Sequence, residues 1–202
     1  MLINRNVLRL TPEFYLDKNV VKIARSLLGK TLFTRVDGHV TAGRIVETEA
    51  YSWKERGSHA FKGKTGRNAV MFEEGGVAYV YLCYGIHQMF NVVTNHEGIA
   101  DAVLIRAVEP VVGIEIMKER RGKVINEFQL TSGPGKLSKA LGIDRNLNGK
   151  SLFQNEVWIE DGGASLSSKK IVSSKRIGID YAGEDALLPW RFTIKDNLWV
   201  SA

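Results

Sequence analysis

Glu47 and Glu49 stand two residues apart in VETEAY, a run that closes on Tyr51. The surrounding text, HVTAGRIVETEAY, reads as a β-strand. In an extended chain alternate side chains share a face, so Ile45, Glu47, Glu49 and Tyr51 line one side and Arg44, Val46, Thr48 and Ala50 the other. The two carboxylates then lie about 7 Å apart along the chain. Two nearby carboxylates resist ionising together, which raises one pKa and suits general acid or base chemistry. Such a face is poor core material and makes sense if it looks into a cleft. A solvated face whose acids pair with lysines is the plain alternative. The spacing alone does not make a two-carboxylate sugar hydrolase, whose acids flank the ring from separate elements. Two acids on one strand divide more naturally into one reactive and one supporting group.

A second unusual stretch is VAYVYLCYGIHQMFNVVT, Val77 to Thr94. Tyr79 and Tyr81 share a strand face, and Tyr84 stands before Gly85, where the chain must reverse. An aromatic at a turn tip is badly placed for packing and well placed for insertion. Wedges of this kind enter the DNA minor groove and part the base steps. Packing of Tyr84 under a loop is the alternative. Between acids and hairpin, FKGKTGRNAVMF carries Lys62, Lys64 and Arg67, either a phosphate clamp or a solvated basic loop. Ser132-Gly133-Pro134-Gly135-Lys136 opens a helix whose free amides suit a phosphate oxygen, although a simple turn into a helix also explains it.

The totals narrow the class. The 202 residues suit one domain spanning 1–202, and 44% apolar residues support a core. Lys plus Arg exceed Asp plus Glu by 28 to 22, a net charge of +6 that favours an anionic partner such as nucleic acid. Many ordinary proteins are mildly basic as well. Cys83 is the only cysteine, which points to a reducing compartment, and MLINRNVLRL lacks the apolar core of a signal peptide. No apolar run spans a bilayer. The expectation is a cytoplasmic protein. The four histidines show no metal-ligand spacing, one cysteine cannot build a thiolate zinc site, and no dinucleotide or nucleophile-elbow motif appears. Hydrolysis without metal or cofactor fits best.

These residues need elements to hold them. Asp17 reads as an N-cap for a helix through Leu28, stopped by Gly29, and a shorter helix begins at Thr11 with Pro12 in its first turn. TLFTRV, Asp37-Gly38 and HVTAGRIVETEAY form a hairpin. Residues 52–76 read as loop with some short helix. VAYVYLCY and MFNVVT are strands joined at Gly85. Ala102–Val108 is a strand stopped by Glu109-Pro110, Val111–Arg121 a helix, and KLSKAL a helix closed by Gly142. VWIE and RFTIK are late strands, with DGGASLSSKK a surface loop or hairpin tip. Hairpins rather than regular βαβ units make the class α+β. The predicted form is one compact domain with a mixed, largely antiparallel sheet, flanking helices and a protruding hairpin.

With both stretches in view, the chain resembles the alkyladenine (3-methyladenine) DNA glycosylases, the mammalian-type family that also occurs in bacteria. The matching text is GRIVETEAY, SHAF, RNAVMF, YVYLCYG with Asn91, LIRAVEP, SGPGKL, RIGIDYAGE and PWRF, covering about residues 16 to 200. The resemblance implies that Glu49 is the base that activates water and that Arg106 helps hold it. It implies that Tyr51, His59 and Tyr81 wall the pocket for a flipped base, that Asn91 crowds the amino group of normal guanine, and that Tyr84 intercalates. Glu47 receives no catalytic role. The absence of a long N-terminal extension fits a bacterial form.

The implied reaction is monofunctional release of a damaged purine from double-stranded DNA, leaving an abasic site. No lysine acts as nucleophile, so no strand cleavage is expected. Candidate lesions are 3-methyladenine, 7-methylguanine, hypoxanthine and ethenoadenine. Alkylation makes the purine cationic, and a cation over a tyrosine face gains roughly 0.5–2 kcal/mol. The expected protein is a monomer, without cofactor and nucleoid-associated through DNA. Two rivals remain: a binding module without catalysis, which leaves the acids unexplained, and an enzyme acting on a small nucleoside, which needs neither exposed Tyr84 nor the basic loop.

Overall fold

The computed structural model describes residues 8–124, 126–163 and 166–201. Most of MLINRNVLRL and the centre of DGGASLSSKK lie outside them. The chain opens with β1 (Leu8–Arg9), α1 (Pro12–Tyr15) and α2 (Val20–Leu27). Thr11 and Pro12 start α1 as predicted. The cap of α2 is Asn19, two residues later than expected, and its side chain accepts from the Lys22 amide. Asp17 instead accepts from the Asn19 amide and steadies the turn before the helix.

β2 (Thr31–Val36) and β3 (His39–Tyr51) meet across Asp37-Gly38, where φ is 52° and 77°. Both turn residues are left-handed, the geometry that matches strand twist. β4 (Ala78–Cys83) and β5 (His87–Thr94) form the tyrosine hairpin. β6 (Asp101–Val112) runs past Pro110, which was expected to stop it. Among the described residues no strand pairs with β6 opposite β3 beyond Leu104, so Pro110 occupies an edge, where a missing N–H is tolerated. α3 (Ile114–Arg121) therefore starts three residues later than predicted, after left-handed Gly113. α4 (Pro134–Leu141) ends at Gly142 as predicted. β7 (Val157–Asp161), β8 (Ile171–Ser174) and β9 (Arg191–Ile194) complete the chain, β8 being unanticipated.

The strands form one sheet in the order β1-β7-β2-β3-β6-β5-β4, with β9 joining β3 to β8. Every strand pairing among the described residues is antiparallel, so the sheet is not mixed. The fold is a single compact α+β domain, as expected. β3 pairs with β2 over its first half and with β9 at Glu47–Glu49.

The sheet has two unlike faces. Ala50, Val80, Phe90, Val92, Val103 and Ile105 join residues of α2 and α4 in the main core. Thr48 points the same way and donates to the Ala24 carbonyl at 2.9 Å. The alternate residues Glu47, Glu49, Tyr51, Tyr79, Asn91, Leu104 and Arg106 turn to the other face. One sequence expectation fails here: Ile45 packs in the main core with Ala50. The β3–β6 register shifts between Ile45 and Glu47, and this bulge changes the parity of the strand. Glu47 and Glu49 still share a face because both lie beyond it.

Candidate active site

The site is a row of paired residues crossing the sheet. Tyr79 opposes Asn91, Asn91 opposes Leu104, and Leu104 opposes Glu49. Residues paired directly across a sheet share a face, so four strands aim these side chains to one side. Above them lies a cavity of about 570 Å³, lined by Tyr51, His59, Arg67, Tyr79, Tyr81, Tyr84, Asn91 and Arg106 among others. That is within the range of small-molecule sites.

Glu49 does not itself line this cavity. Its side chain is fully buried, and it lies one layer beneath a wall formed by Tyr51, Arg106 and Ile177. All three reach it. The Tyr51 hydroxyl donates to Oε2 at 2.8 Å, Arg106 Nη1 approaches the same oxygen at 3.4 Å, and the Ile177 amide donates to Oε1 at 2.8 Å. The face carrying the acids thus borders a cleft, but this carboxylate contacts it through partners. Burial raises the Glu49 pKa; Arg106, the Ile177 amide and the Tyr51 hydroxyl oppose the rise, and Glu47 adds to it.

Glu47 is tied down on every side. It accepts from Arg106 Nε at 2.9 Å, Arg191 Nε at 2.7 Å, the Ser201 amide at 2.7 Å and the Ser201 hydroxyl at 2.8 Å. The two acids differ in setting: Glu47 is held by four hydrogen bonds, and Glu49 lies behind the cavity wall. Arg106 bridges them. Burial works against its charge, but Glu49 and Glu47 outweigh burial and raise its pKa.

The opposite wall is aromatic. His59 Nδ1 lies 3.0 Å from the Tyr79 hydroxyl, and its ring centroid lies 4.5 Å from that of Tyr81. Burial, then Arg67, lowers the His59 pKa, which favours the neutral ring. Burial holds the Tyr79 hydroxyl at about 12. Asn91 Nδ2 donates to the Tyr79 carbonyl at 3.2 Å, which fixes the amide against the wall.

At the cavity mouth Tyr84 is 89% exposed and takes a φ of 50°, followed by Gly85 at 73°. Only glycine adopts this backbone freely; another L-residue pays roughly 1–2 kcal/mol. The hairpin tip holds an aromatic ring in solvent on a strained backbone.

The remaining candidates separate. Arg67 lines the cavity with its guanidinium 5.6 Å from the Tyr81 ring centroid, whereas Lys62 and Lys64 are exposed and do not line it. Pro134 reaches the cavity, but Gly135 and Lys136 line a neighbouring groove of about 600 Å³ with Ile86 and His87. A Cβ on Gly135 would sit 2.9 Å from the His87 ring, so this glycine lets the hairpin dock on α4. Gly133, the residue before α4, has a φ of 125°.

Three site residues, Arg176, Ile177 and Tyr181, stand in the matching stretch RIGIDYAGE but received no role from the sequence. Ile177 acts through its amide, which any residue possesses. Arg176 is buried against Glu55, donates to the Ala50 carbonyl, and stacks 4.7 Å from the Tyr51 ring centroid. Tyr181 lines the cavity and donates to the Gly57 carbonyl at 3.3 Å. Tyr79 was legible, since strand alternation already set it beside Tyr81.

Residues 13–198 match the family model described as Methylpurine-DNA glycosylase. The chain belongs to the methylpurine-DNA glycosylase family. Three relatives bear the name "Putative 3-methyladenine DNA glycosylase". The protein of Methanocella arvoryzae is 49% identical over 94% of each chain. That of Carboxydothermus hydrogenoformans is 46% identical over 95% of this chain and 98% of its own. That of Desulfitobacterium hafniense is 45% identical over 96% and 98%. Membership of this glycosylase family makes DNA repair the role and DNA the partner. Among the described residues no helix is long and apolar enough to cross a membrane, and no three His, Cys, Asp or Glu side chains gather as metal ligands.

Proposed function

We propose that this member of the methylpurine-DNA glycosylase family everts a damaged purine from double-stranded DNA and hydrolyses its glycosidic bond with water activated by Glu49. The observation carrying this reading is the buried carboxylate directly behind an aromatic cavity whose mouth bears an exposed tyrosine wedge. Eversion costs a few kcal/mol. Stacking returns about 1–3 kcal/mol per aromatic contact, so Tyr51 and Tyr81 together offset it. Tyr84 fills the vacated space and slows return of the base. Asn91, pinned at the cavity wall, crowds a purine bearing the amino group of normal guanine. Lys62, Lys64, Lys136 and the segment Gly133–Gly135 serve as phosphate contacts on the surrounding surface.

Glu49 acts as the general base. Oε2 has one short bond, to Tyr51, and one long approach, to Arg106 at 3.4 Å. Because Tyr51 and Arg106 wall Oε2 off from the cavity, its weakly used lone pair takes a water proton only once the loosely held Arg106 side chain shifts aside to admit that water, as the sugar gains positive charge. Arg106 opposes the rise in pKa that burial causes and so favours the ionised carboxylate. A positioned base contributes about 10²–10⁴-fold. No amine nucleophile is used, so the product is an abasic site without strand cleavage, and the protein acts as a monomer.

The test is Glu49→Gln assayed on duplexes bearing 3-methyladenine or ethenoadenine. Lesion binding is retained and base release falls by about 10²–10⁴-fold. Full release by this variant would remove Glu49 from its role. Release from free nucleosides alone would favour a small-molecule enzyme.

A further inference from the structure

Glu47 does not line the cavity, yet it is fully buried and four donors meet its two oxygens. Two of the four belong to Ser201, its amide and its hydroxyl. Arg191 closes the circuit, because its Nε donates to Glu47 and its Nη2 to the Ser201 carbonyl at 2.9 Å. Ser201 is itself buried, and the segment leading to it is tied in place. The Trp199 ring meets Phe128 edge-on with centroids 5.2 Å apart, and the Trp199 amide donates to Asn197, whose side chain donates to Glu109.

Stability alone gives no sufficient reason for this cluster. Well-packed apolar residues match or exceed a buried carboxylate set between guanidinium groups. The cluster does fix geometry, and the cavity-lining group that it fixes is Arg106. Glu47 holds Arg106 Nε at 2.9 Å, whereas Nη1 stands 3.4 Å from Glu49. One end of the guanidinium is gripped and the other is loosely set. A tether at Nε lets the outer end swing aside for water and brings it back to the carboxylate.

We propose that Glu47 and Ser201 are positioning residues: the Trp199–Ser201 segment grips Glu47, and Glu47 anchors the guanidinium of Arg106 beside Glu49. The segment after β9 thereby belongs to the active site, although none of it lines the cavity. This rests on the general-base reading of Glu49 above.

The experiment measures single-turnover base release across pH, and lesion-duplex binding, for Glu47→Gln and Ser201→Ala. The duplexes are those bearing 3-methyladenine or ethenoadenine. Glu47→Gln replaces an acceptor with an amide that itself donates toward the surrounding donors. Its release rate falls by about 10- to 100-fold, the range for a lost charge-assisted hydrogen bond, while lesion binding holds. Ser201→Ala deletes one donor and leaves the acid, so its rate falls by less.

The pH profile separates positioning from charge. Burial raises the Glu49 pKa, Arg106 is the main opposing influence, and Glu47 adds least to the rise. Were Glu47 only a nearby negative charge, its removal would move the acid limb of the rate to lower pH. Loss of the anchor instead weakens the Arg106 contribution and moves the limb to higher pH in both variants. In an Arg106→Ala background the anchor has nothing to hold, so adding Glu47→Gln changes the rate little. A limb that moves to lower pH in Glu47→Gln, or additive losses in the double variant, overturns the inference. Ser201→Ala keeps the buried acid and decides the question even where Glu47→Gln fails to fold: a wild-type rate and profile there overturn the inference and leave base excision standing. Full release by Glu49→Gln overturns the general-base reading and this inference with it.

Discussion

The hydroxyl of Tyr51 donates to Oε2 of Glu49 at 2.8 Å, two residues back on the same strand. A period of two puts both side chains on one face, and only the outer one reaches the cavity. The tyrosine is therefore both a wall of the cavity and a donor to the buried acid.

Tyr51→Phe removes one of the interactions that lowers the Glu49 pKa. In the proposed general-base role Glu49 acts ionised, so the expected rate rises with pH through its raised pKa and levels above it. In Tyr51→Phe that acid limb moves to higher pH. Loss of a charge-assisted hydrogen bond slows release by roughly 10- to 100-fold. A pH–rate profile of both proteins checks this. The sign for stability is opposite. With a raised folded pKa, Glu49 favours the fold most below the ordinary carboxylate pKa, and this contribution is lost as pH rises through the raised value. Glu49→Gln flattens that window in melting temperatures measured across pH.

Tyr84→Gly separates stability from function. Glycine relieves the left-handed backbone and leaves no ring in solvent, so stability rises by about 1 kcal/mol. Lesion binding weakens because nothing fills the gap behind an everted base. Denaturant melts and binding to a lesion duplex provide the two readouts.

Gly135→Ala pushes a methyl group into the His87 ring. Overpacking of this kind costs about 1–3 kcal/mol, and here it displaces the hairpin carrying Tyr84. His87→Ala makes room, so the double variant recovers much of the loss. A double-mutant cycle on both stability and base release measures this coupling.

Arg176→Ala leaves Glu55 buried without its cation and removes the support behind Tyr51. Breaking a buried pair costs about 3–5 kcal/mol. The expected result is a large fall in denaturant midpoint. Glu55→Gln, which leaves a hydrogen-bonding partner for Arg176, loses less.

Much of this arrangement was written locally. Alternation in VETEAY and YVYLC set Glu49, Tyr51, Tyr79 and Tyr81 on their faces, and Tyr84-Gly85 marked the exposed turn. Asp37-Gly38 set the hairpin that delivers β3. These features depend on periods of two and on left-handed backbone at particular positions, which neighbouring residues specify. Pro110 misled because tolerance of its missing N–H depends on whether a strand lies alongside. Ile45 misled because a bulge depends on the partner strand.

The tertiary structure alone decided the electrostatics of the site. Glu49 takes its amide donor from Ile177, 128 positions away, and Tyr51 is backed by Arg176. Whether an acid is solvated or buried, and whether an aromatic face is free or already holds a cation, depends on groups brought together from distant parts of the chain. Coulomb interactions and desolvation act through space, so no local pattern of residues encodes them.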